Sequence, residues 1–252
     1  TYRHLSEAGI DKELITLVPD IAFLCPRAPQ ERLEEILTKE NIKNVRRPLI
    51  GIRVSPLELR FGSLDDQRDY NKLMAKMADY LITRLDATVL LVPYLIWPLE
   101  LRATSDETSG VEDDVAVMKQ VFNAVRHKDN VVLIESEYDA TEFTGIVSNC
   151  DLFIGLAMHC NILAASAGVP AISIDFRYKT PAVMKMVGLG KYSCALRTVT
   201  FTELRGKVDD LWMKREEVRK MLEYKMNDIK ASIYSFAEDI RKLVDVSGKP
   251  RR

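Results

Sequence analysis

Three short stretches bring together residue types that handle anions and protons. The first is Gly155-Leu156-Ala157-Met158-His159-Cys160, which sets an imidazole between an apolar strand pattern and an apolar helix pattern. In the second, Asp175, Arg177 and Lys179 follow the apolar run Ala171 to Ile174. In the third, Arg53 and Ser55 close the run Leu49 to Val54 (LIGIRV). Gly155 would let the backbone turn sharply and expose amides at the start of a helix, where an anion is favoured. An imidazole beside those amides could hold a phosphate or carboxylate, or move a proton near neutral pH. Lys179 would add a point charge for a phosphate. Arg53 is harder to dismiss, because apolar strands rarely carry Arg without a partner.

Each candidate has a plainer competitor. His159 could be a buried histidine satisfied by a backbone carbonyl. Lys179 could be an exposed turn lysine, and Arg53 could be salt-bridged to a nearby acid. Arg60 and Arg102 are loop residues with weaker claims. Asp113 and Asp114 read as helix-start residues, suited to the positive dipole end, ahead of general bases. Cys160 adjoins His159, but adjacent residues on a helix do not face each other, which argues against a Cys-His nucleophile pair.

These stretches need a scaffold, and the sequence describes one. Strand patterns fall at Leu49–Val54, Thr88–Val92, Val131–Ile134, Asp151–Ile154 and Ala171–Ile174. Between them lie helix patterns. In Arg68–Leu85, Leu73, Met77, Leu81 and Leu85 recur every four residues. Another helix opens at Glu112, Asp113 and Asp114 and buries Val115, Met118 and Val121. Short helices are expected at Ala140–Val147, Met158–Ala167 (stopped by Gly168) and Thr180–Val187 (stopped by Gly188). This alternation implies an α/β fold with a Rossmann-like, mostly parallel sheet flanked by helices. In such sheets ligands bind beyond the carboxyl ends of the strands, so the three stretches should face one crevice.

Outside this core, Thr1–Gly9 reads as the end of a helix and Leu14–Val18 as a short strand. Cys25-Pro26-Arg27-Ala28-Pro29 reads as a linker, followed by a short helix with Leu33, Ile36 and Leu37 on one face. The segment 93–111 reads as a long loop, of the length that is usually functional or mobile. Thr202–Val244 reads as helical throughout.

The 252 residues carry 36 Lys+Arg against 37 Asp+Glu, and 47% are hydrophobic. That balance excludes a disordered chain and gives no support for nucleic-acid binding over the whole surface. Cys25, Cys150, Cys160 and Cys194 show no zinc-ligand spacing, which argues against a structural metal and a disulfide scaffold and for a reducing compartment. The apolar stretch Leu152–Ile174 is interrupted by Gly155, His159, Asn161, Gly168 and Pro170, so it reads as soluble core rather than a membrane span.

Ser148–Leu189 (SNCDLFIGLAMHCNILAASAGVPAISIDFRYKTPAVMKMVGL) resembles the polysaccharide pyruvyl transferase family. The shared pattern is a strand ending in Gly155, the turn Ala157-Met158-His159 and the small-residue helix Ala164–Ala167. Gly168-Val169-Pro170, the strand Ala171–Ile174 and Lys179 complete it. Val18–Leu24 is similar to the family's domain junction, and Leu49–Pro56 to the first strand of its C-terminal domain. The likeness runs from about Leu14 to Val244.

The resemblance implies the C-terminal half of a GT-B-like fold. Residues 1–24 would then be the remnant of an N-terminal Rossmann-like domain and 25–47 a linker with a short helix. Residues 48–200 would form the donor-binding domain, 201–246 a helix packing back toward the N-terminal part, and 247–252 a tail. It further implies transfer of pyruvate from phosphoenolpyruvate to a sugar of a cell-surface or exported polysaccharide, in the cytoplasm, with phosphate released. No cofactor or metal is needed. His159 matches the motif histidine, for donor binding or proton transfer. Arg53, Lys179, Arg177 and the turn Gly155–Ala157 would surround the donor. Ala157 departs from the pattern, since the family usually places Arg there, and losing a bidentate anion binder should weaken donor affinity. A GT-B glycosyltransferase, another sugar-nucleotide enzyme and a non-catalytic family member stay open. So do the acceptor sugar and the oligomeric state, a homo-oligomer included.

Overall fold

A computed structural model describes residues 2–57, 64–94, 114–175 and 179–243. Six parallel strands form one sheet in the order β3-β2-β1-β4-β5-β6. They are β1 (Leu49–Arg53), β2 (Thr88–Leu91), β3 (Val131–Leu133), β4 (Leu152–Leu156), β5 (Ala171–Asp175) and β6 (Ser193–Ala195). Every residue of β1, β2, β4 and β5 is buried, which is why these strands read as unbroken apolar runs. The order reverses between β1 and β4, the point at which such sheets open a crevice beyond their carboxyl ends.

The helices are α1 (Tyr2–Glu7), α2 (Gln30–Lys39), α3 (Leu64–Leu85), α4 (Asp114–Ala124), α5 (Ala140–Val147), α6 (Met158–Ser166), α7 (Lys179–Met186), α8 (Phe201–Met213) and α9 (Arg215–Leu243). In α3, Met74, Met77, Ala78 and Leu81 are fully buried, as their spacing requires. Asp139 caps α5, its carboxylate accepting from the Thr141 and Glu142 amides while Glu142 reaches back to the Asp139 amide. Gly168 and Gly188 take positive φ where α6 and α7 stop. One core joins both faces of the sheet to α2, α8 and α9.

The segment just before the expected linker packs onto the core. Asp20 caps a single 3-10 turn, Ile21–Leu24, by accepting from the Ala22 amide. Phe23 from that turn is fully buried in the core, and the turn packs on both α6 and α9.

Two expectations need correcting. Leu14–Val18 forms no strand: Lys12–Leu14 is a 3-10 turn, residues 15–20 run without sheet pairing, and Leu14 and Leu17 are exposed. The C-terminal helix is broken at Lys214, whose amide closes α8 before α9 begins. Leu204, Val208 and Leu211 of α8 and Val218, Leu222 and Ile229 of α9 all reach the same core. The strand β6 joins the sheet beyond β5 without having been read from the sequence. No described helix is long and apolar enough to cross a membrane.

Candidate functional site

The carboxyl end of β4 runs into α6 through one residue, Ala157, at φ 93° and ψ 155°. Only glycine adopts that region easily, and an L-residue there costs about 1–3 kcal/mol. The sharp turn expected of Gly155 is thus made two residues later. Gly155 serves close packing instead. A Cβ placed on it would lie 2.6 Å from Phe153 Cε1, 2.9 Å from Asn161 Oδ1 and 2.9 Å from Cys160 Sγ.

Three neighbours restrain the strained turn by its carbonyls. The buried Asn161 amide donates to Gly155 O at 3.0 Å and to Ala157 O at 2.6 Å. Arg53 Nη1 donates to Leu156 O. The Cys160 thiol lies 3.3 Å from Leu156 O and 3.2 Å from Ala157 O. Ala157 supplies no side-chain cap to α6, so amides of the first helical turn have no capping side chain from that position.

His159 stands in that first turn with its side chain 51% exposed, so it is not the buried, carbonyl-satisfied histidine of the plainer reading. Its Nε2 lies 3.7 Å from Asp20 Oδ2, within ion-pair range when the ring is protonated. The other oxygen of Asp20 accepts from the Ala22 amide at 2.9 Å, which fixes the carboxylate's direction. Asp20 was absent from the sequence candidates. The signal lay in the Val18-Pro19-Asp20 junction, but nothing local ties it to a histidine so distant in the chain. Lys179 begins α7, after the neighbouring strand β5, and is exposed. The structure therefore brings His159 and Lys179 to adjacent strand ends.

Arg53 does not join them as a free cation. It is 3% exposed and Asp114 is 0% exposed. Nε donates to Asp114 Oδ2 at 2.9 Å, and Nη2 donates to both Asp114 oxygens at 2.8 Å and to Ser55 Oγ at 3.0 Å. With Nη1 on Leu156 O, the guanidinium has at most one N–H left of its five. Asp114 also accepts from the Tyr94 amide at 2.9 Å. Its position at the first residue of α4 matches the helix-start reading, but its weight in the structure is this buried pair. The assignment of Arg53 to the donor's anionic groups is corrected accordingly: its charge is neutralised inside the fold and its fork braces the β4–α6 turn. Arg177, Arg60, Arg102 and Asp113 lie outside the described residues.

At the end of β5, burial pushes the Asp175 carboxyl up to about 6. Its Oδ2 accepts from Ser173 Oγ at 3.0 Å, while the buried Oδ1 has no hydrogen-bond partner among the described residues. Among the described residues no group of three or more His, Cys, Asp or Glu side chains is placed to hold a metal ion.

The polysaccharide pyruvyl transferase family model matches residues 1–177. The amylovoran biosynthesis protein AmsJ of Erwinia amylovora is 24% identical over 223 residues, which is 86% of this chain and 50% of AmsJ. The chain therefore spans about half the length of that relative. Among solved structures, a putative UDP-N-acetylglucosamine 2-epimerase from Listeria monocytogenes superposes with a TM-score of 0.55 at 16% identity, covering 94% of this chain and 58% of the epimerase. Anabaena HepE, solved with UDP-glucose, superposes with a TM-score of 0.52 at 12% identity, covering 96% of this chain and 61% of HepE. Both likenesses concern the fold alone.

Proposed function

Because the chain belongs to the polysaccharide pyruvyl transferase family, we propose that it serves transfer of a pyruvyl group from phosphoenolpyruvate to a sugar of a cell-surface or exported polysaccharide. The observation that carries this reading is the exposed His159 on a helix start that its N-cap residue, Ala157, leaves without a side-chain hydrogen bond, at the carboxyl ends of a parallel sheet. A helix start of this kind favours a phosphate or carboxylate, and phosphoenolpyruvate has both. AmsJ, named for amylovoran biosynthesis, supports a saccharide acceptor. The four free cysteines fit a reducing, cytoplasmic setting.

The reaction needs a proton delivered to the methylene carbon of the donor, which becomes the methyl group. Two sugar hydroxyl oxygens then bond to the adjacent carbon and the phosphate C–O bond breaks. One hydroxyl proton replaces the one delivered to carbon, and the other leaves with phosphate. His159 is the group for proton transfer or for the donor's anionic end, with Asp20 Oδ2 balancing the charge of a protonated ring. Lys179 offers a mobile charge to the donor from the next strand end. Arg53 contributes indirectly, by bracing the turn from which α6 starts.

Phosphate release from phosphoenolpyruvate, followed with a panel of saccharide acceptors, tests the reading in the full-length protein. His159→Ala should lower turnover by about a hundredfold or more. A fully active His159→Ala protein would remove the role, and absence of release with every acceptor would remove the reaction. Calorimetry with UDP-glucose against phosphoenolpyruvate separates this reading from a sugar-nucleotide enzyme.

A further inference from the structure

We propose that Asn161 is a positioning residue that holds Ala157 in its glycine-like conformation and so fixes where the first turn of α6 and His159 meet the crevice. The inference rests on the reading above only for what the crevice binds.

Ala157 sits at φ 93° with an ordinary L side chain, so something must oppose its relaxation. Asn161 grips both sides of it, through Gly155 O and Ala157 O. The orientation of the amide is settled by these contacts, since the reverse would point its oxygen at two carbonyl oxygens. The cost of this arrangement is visible in the fold. Asn161 is 1% exposed, and its buried Oδ1 has no hydrogen-bond partner among the described residues. A leucine or alanine, like its neighbours Ile162, Leu163 and Ala164, would leave no such orphan. The space for Asn161 exists because position 155 has no side chain. Arg53 and Cys160 add bonds to the carbonyl between, so every carbonyl from 155 to 157 has a donor. Asn161 is the member that reaches both flanking ones. His159 lies two residues after the strained position, so a change of φ at Ala157 would swing its ring away from Asp20.

The proposal makes a specific claim about rescue. If Asn161 works by holding a backbone conformation that alanine resists, glycine at 157 should make the grip dispensable. If Asn161 only fills space, glycine four positions away should do nothing for its loss. The test compares wild type, Asn161→Ala, Ala157→Gly and the double variant, by urea unfolding and by phosphoenolpyruvate turnover. Asn161→Ala should lower the unfolding midpoint and cut kcat/KM about tenfold or more, and the double variant should recover both, turnover to within about threefold of wild type. No recovery in the double variant would overturn the proposal. Recovery of the midpoint without turnover would overturn the positioning role as well. If Asn161→Ala does not fold, Asn161→Ser, whose hydroxyl reaches one carbonyl at most, takes its place in the same comparison. If the wild-type protein turns over no phosphoenolpyruvate, the reaction reading fails by itself. Calorimetric affinity for inorganic phosphate then replaces turnover as the readout of the same four proteins.

Discussion

Replacing Arg53 by methionine should be among the most damaging single changes in the described chain. The substitution removes the positive partner of Asp114, whose carboxylate is fully buried and would keep the Tyr94 amide as a described donor. It also takes the donor from the Leu156 carbonyl. Breaking a buried pair by deleting one member typically costs about 3–5 kcal/mol, because the other charge stays behind unpaired. For a chain of this length that corresponds to a fall in melting temperature of about 6–20 °C. Removing both charges, as Arg53→Met with Asp114→Leu, should recover more than half of the loss, since a buried pair is often replaceable by apolar groups of similar volume. Urea unfolding followed by circular dichroism gives the three stabilities, and titration with phosphoenolpyruvate gives the affinities. If Arg53→Met stays within about 1 kcal/mol of wild type while donor affinity collapses, the reasoning fails. Arg53 would then be a ligand cation after all, and its pairing with Asp114 would be incidental.

Asp175 predicts a stability that depends on pH. Its folded-state pKa, about 6, is raised from 3.8, so it favours folding fully below pH 3.8 and loses that contribution as pH climbs through 6. Asp175→Asn should therefore be more stable than wild type at pH 7.5, by about 1–3 kcal/mol allowing for partial solvation. The gap should close near pH 4, and urea midpoints at the two pH values read it directly. An Asn variant no more stable at pH 7.5 would contradict the burial argument. The thiols offer a separate check. Burial pushes Cys150 and Cys160 up to about 12 and Cys194 to about 11. Iodoacetamide at pH 8 should therefore label the half-buried Cys25 first and the other three only on unfolding. Fast labelling of Cys160 in the folded chain would show that the β4–α6 turn opens.

The sheet was legible because its central strands are covered on both faces and so must be apolar throughout, as in Leu152–Leu156 and Ala171–Asp175. The α3 periodicity was legible for the complementary reason, one buried stripe on a long helix. β6 was not, since three residues with one buried, one half-buried and one exposed member carry no pattern. Nor was the break at Lys214, which is made without glycine or proline. At the site, Gly155 and His159 could be singled out by residue type, though Gly155 serves close packing and not the turn expected of it. The left-handed backbone could not, because it falls on an alanine, where side-chain identity argues against it. Arg53 was rightly suspected of needing a partner. Choosing Asp114, 61 residues along, among the many acids required the fold.

Phe23 works as a rivet. It pins the stretch that bears Asp20 to the sheet, sealed in the same hydrocarbon as β1 and β4. A swing of the residues ahead of Pro19 would leave the carboxylate–imidazole distance of 3.7 Å as it is. The acid beside the histidine thus travels with the strand ends and keeps its place through any such hinge.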